Sequence, residues 1–245
     1  MQDFEDKVFV ISNAASDIGL ALAIHLIRQG CDVSIADDDQ AALHHVVLEI
    51  EKACPLTSDH VLPTILDPRN AGAVDTWLEH TIEMFSCIDG AINLGHVSGN
   101  LSASDPTDAI ESEESRSALE VKTCLERQLK VIQESGSIVN ACPVAGLRRK
   151  DSEAGVSTLT RAAATEEGRR GIRINAIAPG FIETPMLDAL SAKRHMERRH
   201  SAIAKAPLGR MGKADEVVKA IVFLLSEDAS FVTGSTLVVD GGNSI

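Results

Sequence analysis

The residues from Val8 to Ala23 constrain this chain more than any other stretch. Four apolar residues, Val8-Phe9-Val10-Ile11, pass into the small and polar run Ser12-Asn13-Ala14-Ala15-Ser16-Asp17. Apolar residues then recur with helical spacing at Ile18, Leu22 and Leu26. A change of period across so short a segment predicts a buried strand, a tight turn and a helix, the opening of a βαβ unit. Such a turn aims backbone N–H groups and the positive end of the helix dipole at one spot, which suits a pyrophosphate.

The same alternation runs to the end of the chain without linker, repeat or low-complexity stretch. Gly30 is placed to end the first helix, and Asp32-Val-Ser-Ile-Ala36 reads as the second strand. Helices are expected over 38–53 and 70–86, a third strand over 60–66 roughened by Pro63, and a fourth from Ile88 to Asn93. The polar, acidic stretch 98–116 predicts a loop or a solvated helix start, with a helix from Ala118 carrying Leu125, Leu129 and Ile132 on one face. Strands are expected at Ser137–Ala141, Arg173–Ala178 and Thr236–Val239, with helices over 153–167 and 213–226 and a charged helical excursion over 184–203. Strands alternating with helices imply an α/β fold, a single Rossmann-type domain over 1–245 with about seven parallel strands and helices on both faces. Ligands on such sheets bind beyond the carboxyl ends of the strands, at the switch point beside the first strand.

Composition narrows the partners. A length of 245 residues with 44% hydrophobic content is enough for one large core, and no apolar run is long enough for a membrane span. The acidic start, Met-Gln-Asp-Phe-Glu-Asp-Lys, is not expected to be a signal peptide. Five cysteines without Cys-x-x-Cys spacing read as free thiols in a reducing, cytoplasmic setting, with no metal site. A net charge of −13 argues against nucleic acid and anionic membrane as partners. Tyrosine is absent altogether.

Ser12-Asn13-Ala14-Ala15-Ser16-Asp17-Ile18-Gly19 resembles the Thr-Gly-x-x-x-Gly-Ile-Gly turn of the short-chain dehydrogenase/reductase superfamily, of whose glycines only Gly19 is kept. Further blocks carry the resemblance along the whole chain: Gly136-Ser-Ile-Val-Asn140, Ala154-Gly-Val156 through Leu159-Thr-Arg161, Gly171 through Met186, and Gly234 through Gly242. The family transfers hydride with a Ser, a Tyr and a Lys in Tyr-x-x-x-Lys spacing, and an Asn on the preceding helix. The lysine lowers the tyrosine pKa so that the phenol passes a proton near neutral pH. Counted onto this chain, those positions fall on Pro143 for Ser, Arg149 for Tyr, Glu153 for Lys and Ser117 for Asn, so the resemblance implies a lost tetrad. His96 and Cys142 at strand ends, with Glu183, are the substitute proton-transfer candidates. Strand-end His and Cys are, however, more often packing residues.

The resemblance assigns cofactor contacts to Ser12, Asn13, Asp17, Ile18 and Gly19 in the turn. It adds Asp37 after the second strand, Asp67 and Asn93 on the adenine and ribose side, and Thr184 at the nicotinamide amide. Asn13 stands where the family has glycine, and Asn tolerates left-handed backbone better than most residues. Asp17 brings a negative charge to the pyrophosphate end; alternatively it is an ordinary helix N-cap. Asp37 implies NAD in preference to NADP. The altered turn leaves open a chain that binds no cofactor, and strand-end Asp and Asn can equally serve the fold.

Two basic clusters, Arg148-Arg149-Lys150 and Lys193 through His200, either bracket an anionic small molecule or form solvated helix faces. The second lies in the substrate lid that the resemblance implies over 184–210. Helices 118–134 and 153–167 correspond to the family's dimer-forming pair, which implies a homo-oligomer, dimer or tetramer. With the tetrad gone, the expectation is a non-redox small-molecule enzyme of isomerase or cyclase type, or a binding protein. An NAD-dependent oxidoreductase of a carbonyl or alcohol with atypical proton donors, and a non-catalytic partner of an active relative, are the alternatives.

Overall fold

Strand and helix follow each other as their periods dictate, and the computed structural model describes residues 4–55, 57–95, 106–132, 135–142, 155–183, 200 and 203–244. In chain order these give β1 (Val8–Ser12), α1 (Asp17–Arg28), β2 (Asp32–Asp37), α2 (Gln40–Ala53), β3 (Val61–Ile65), α3 (Ala71–Phe85) and β4 (Gly90–Asn93). Then come α4 (Pro106–Val131), β5 (Ser137–Ala141), α5 (Val156–Glu167), β6 (Arg173–Pro179), α6 (Ala214–Leu225) and β7 (Thr236–Val239). The strands form one seven-stranded sheet in the order β3-β2-β1-β4-β5-β6-β7. Every pairing is parallel. This is the single-domain, doubly wound α/β fold that the alternation predicts.

Neighbouring residues on a strand face opposite sides, and the core divides accordingly. Phe9, Ile11 and Ile92 pack with Leu22 and Leu26 of α1, Leu43 and Val46 of α2, and Val217 and Ile221 of α6. Val10, Ala91 and Ile138 pack instead with Trp77 and Leu78 of α3, Cys124 and Leu125 of α4, and Ala163 of α5. Two apolar layers of comparable depth therefore sandwich the sheet, and burial of this surface is the main force holding the strands in register. Pro63, which has no N–H to donate, is accommodated because β3 lies at the sheet edge.

The structure revises some boundaries. The acidic stretch expected as a loop or solvated helix start is helical from Pro106 onward, continuous with the helix read from Ala118. The helix expected over 153–167 begins at Val156, after an extended Gly155. Asp17 is not the N-cap of α1. Ser16 caps it, with extended backbone and its hydroxyl accepting from the Gly19 N–H at 3.1 Å, and Asp17 is the first helical residue. The hydroxyl one residue earlier is in reach of the third amide of the helix, which decides the cap.

Candidate functional site

β1 has β2 on one side and β4 on the other, so the chain reverses its direction of travel across the sheet at β1. The crevice this leaves lies beyond the ends of β1 and β4, where Ser12, Asn13, Asn93 and Gly95 meet the N-terminus of α1.

The turn is held from several directions. Asn13 sits at φ 54, the left-handed conformation expected of a residue standing in for glycine. The Ala14 N–H donates to the Ala36 carbonyl at 3.0 Å, and the Ala15 N–H to Asp37 Oδ2 at 2.9 Å. A β-carbon at Gly19 would lie 2.3 Å from the Ala14 carbonyl oxygen, so only glycine lets α1 start this close to the turn. The result is a compact cradle with a helix N-terminus behind it, of the kind that receives phosphate. Asp17 places a carboxylate in its first helical turn.

Asp37 is buried, and its carboxylate accepts from Ala15 and, at 3.0 Å, from the Asp39 N–H. Its work within the chain is to tie the turn to the end of β2. Asp67 receives Arg69 through both carboxylate oxygens at 2.8 Å, and these hydrogen bonds hold its pKa below the ordinary value. It lies beyond β3, on the same end of the sheet as the turn.

Asn93 is wholly buried in a polar network. Ser12 Oγ and Gln128 Nε2 donate to its Oδ1 at 3.1 and 2.9 Å. Its Nδ2 donates to Gln128 Oε1 and to Asn140 Oδ1, each at 2.9 Å, and Asn140 passes the chain on to Thr160 Oγ1 at 3.0 Å. These contacts tie Asn93 to β1, β5 and α4 beneath the crevice.

Ser117 projects from α4 into the same region, fully buried and with no partner for its hydroxyl among the described residues. A β-carbon at Gly95 would come within 2.2 Å of that hydroxyl, and Gly95 itself has φ 59. Glycine is therefore required at the mouth of β4. His96, Pro143, Arg149, Glu153 and Thr184 lie outside the described residues, as do Arg148 and Lys150, Lys193–Arg199 of the second basic cluster and most of the lid over 184–210.

Of the two readings open for Cys142, its contacts favour packing. It is buried with Val121, Val156 and Ala176, and burial pushes its thiol up to about 12. A thiol with that pKa neither gives up nor takes a proton usefully near neutral pH. Glu183 stays exposed just past β6, its N–H donating to the Gly212 carbonyl at 2.8 Å.

A feature that sequence reading passes over is a chain of charged groups beside the turn. Glu120 of α4 is 1% exposed. Its Oε2 accepts from Asn13 Nδ2 at 3.1 Å and its Oε1 from Arg116 Nε at 2.8 Å. Arg116 also reaches Asp38 Oδ2 at 3.2 Å. A signal for it exists in the spacing: Glu120 lies three residues after Ser117 and four before Cys124, hence on the buried face of α4.

The comparisons with known proteins agree with this architecture. A family model described as enoyl-(acyl carrier protein) reductase matches residues 13–244. A short-chain dehydrogenase/reductase, aba4, of Botryotinia fuckeliana is 34% identical, over 98% of both chains. Levodione reductase of Leifsonia aquatica is 33% identical over 98% of this chain and 95% of its own. The crystal structure of a levodione reductase superposes with a TM-score of 0.85 at 34% identity, covering 98% of each chain. The chain belongs to the short-chain dehydrogenase/reductase superfamily, within the family that the enoyl-(acyl carrier protein) reductase model describes. Members of this family use nicotinamide cofactors.

These relatives overturn the expectation of a non-redox enzyme or a binding protein. Chains a third identical from end to end carry reductase names, which points to an active oxidoreductase. The physical fault in that expectation is that it weighed missing residue types above the kept cradle. Replacing glycine by Asn13 preserves the left-handed turn, and Gly19 preserves the close approach of α1.

Proposed function

We propose that the protein is a nicotinamide-dependent oxidoreductase that interconverts a carbonyl compound and its alcohol. The observation that carries this reading is its likeness, across the full chain, to relatives named as reductases. The cradle fits the cofactor: the turn from Ser12 to Ser16 and the N-terminus of α1 would hold the pyrophosphate, with Ile18 and Gly19 behind it. Asp37 at the end of β2 favours an unphosphorylated ribose, and therefore NAD over NADP. The bound cofactor supplies hydride to the carbonyl carbon, and the chain must supply a proton to the carbonyl oxygen as it becomes an alcohol.

With no tyrosine anywhere in the sequence, that proton comes from a group other than a phenol. His96 and Glu183 are the candidates once Cys142 is set aside. Assembly of copies through α4 and α5 belongs to the same reading. Titration with NADH and NADPH, followed by reduced-nicotinamide fluorescence, tests the first step. Transfer of deuterium from 4-deuterated NADH to a panel of cyclic and linear ketones tests the second. Saturable NADH binding with label in the alcohol is the expected result; binding of neither nucleotide would sink the proposal.

A further inference from the structure

We infer that Glu120 is a positioning residue for the dinucleotide turn, acting through Asn13. A residue other than glycine at φ 54 is held in a conformation that costs free energy, so something must favour it. The partner is on α4: Asn13 Nδ2 donates to Glu120 Oε2, a contact between residues 107 positions apart. An ionised carboxylate only accepts, so the amide must turn its nitrogen toward Glu120. That orientation leaves Asn13 Oδ1 buried and without a partner among the described residues. Asn13 is only 7% exposed, so this unmatched oxygen is withheld from solvent beside the turn, a cost accepted to keep the amide nitrogen on Glu120.

Glu120 is itself kept in place. Burial of a lone carboxylate is costly, and the guanidinium of Arg116 offsets that cost at 2.8 Å. Arg116 goes on to Asp38, the residue after β2, while Ala15 is tied to Asp37 on the same strand end. Turn, α4 and the end of β2 are therefore closed into one clasp through Asn13, Glu120, Arg116 and Asp38. In this chain the clasp does what a glycine does by having no side chain.

The inference rests on the dinucleotide reading above, and a double-mutant cycle tests it. Glu120→Ala should weaken NADH affinity at least ten-fold, because it removes a hydrogen bond to a charged group. In an Asn13→Gly background, where the turn needs no side-chain anchor, the same change should alter affinity less than two-fold. Equal losses in both backgrounds, or no loss in the parent, would overturn the proposal. Amide hydrogen exchange on the ligand-free protein supplies a readout independent of the nucleotide. Exchange at Ala14 and Ala15 should accelerate at least ten-fold in Glu120→Ala and return toward the parent rate when Asn13→Gly is added. A parent chain that binds neither nucleotide ends the function reading alone, and the exchange rates then decide the role of Glu120. Should Glu120→Ala fail to fold, Glu120→Gln gives a smaller loss in the same pattern, and its absence counts against the inference.

Discussion

Asn93 donates to Asn140 at 2.9 Å across the β4–β5 ladder, where the two residues are also partners in register. Both are fully buried, and the pair sits at the middle of the network from Ser12 to Thr160. Replacing Asn93 by Ala strips partners from Ser12, Gln128 and Asn140 without admitting bulk water. The expected loss is about 2–4 kcal/mol of unfolding free energy, since each orphaned buried group costs about 1–3 kcal/mol. Urea unfolding followed by Trp77 emission measures it; that indole is 1% exposed and donates to Ser34 Oγ at 2.7 Å.

Gly19→Ala should be costly out of proportion to one methyl. The new carbon would lie 2.3 Å from a backbone oxygen, which no side-chain rotation relieves. A destabilisation of about 1–3 kcal/mol is expected. Weaker NADH binding should accompany it, because α1 must withdraw from the turn. A variant with parent stability and parent affinity would contradict the cradle geometry.

Asp17→Gly should strengthen NADH binding. Two like charges about 4 Å apart repel by roughly 1 kcal/mol in water and about 4 kcal/mol where screening is partial. Even the lower value corresponds to about five-fold in affinity. Isothermal titration at low and high salt checks this, and the gain should shrink as salt rises.

Thiol chemistry should report burial. Among the five cysteines only Cys87 is exposed, so it alone should label with an alkylating reagent in the native protein, and all five after denaturation. Burial together with Asp89 raises the Cys87 pKa, so its labelling should accelerate with pH beyond the ordinary thiol range. Mass spectrometry of peptides distinguishes the sites.

Alkaline stability follows from the other thiols. Burial pushes Cys31, Cys124 and Cys142 up from 9.0 to about 12, with Asp32 and Asp89 adding to the rise at Cys31. Between those values the unfolded chain has lost protons that the folded one keeps, so stability falls as pH rises from about 9 to about 12. Thermal melts across that range should show Tm declining, and Cys142→Ala should decline less steeply.

Much of this protein is written locally. Apolar residues two apart at Phe9 and Ile11, and four apart at Ile18, Leu22 and Leu26, mark strand and helix by their spacing alone. The same holds for Pro63, whose missing donor suits a sheet edge. Other outcomes were decided only when distant segments met. Asn93 entered a buried network with partners 35 and 47 positions away, and Glu120 was buried against a turn 107 positions away. Periodicity records which face of an element is apolar, but hydrogen-bond partners and pKa values depend on which atoms packing brings within about 3 Å, and that is a property of the folded whole.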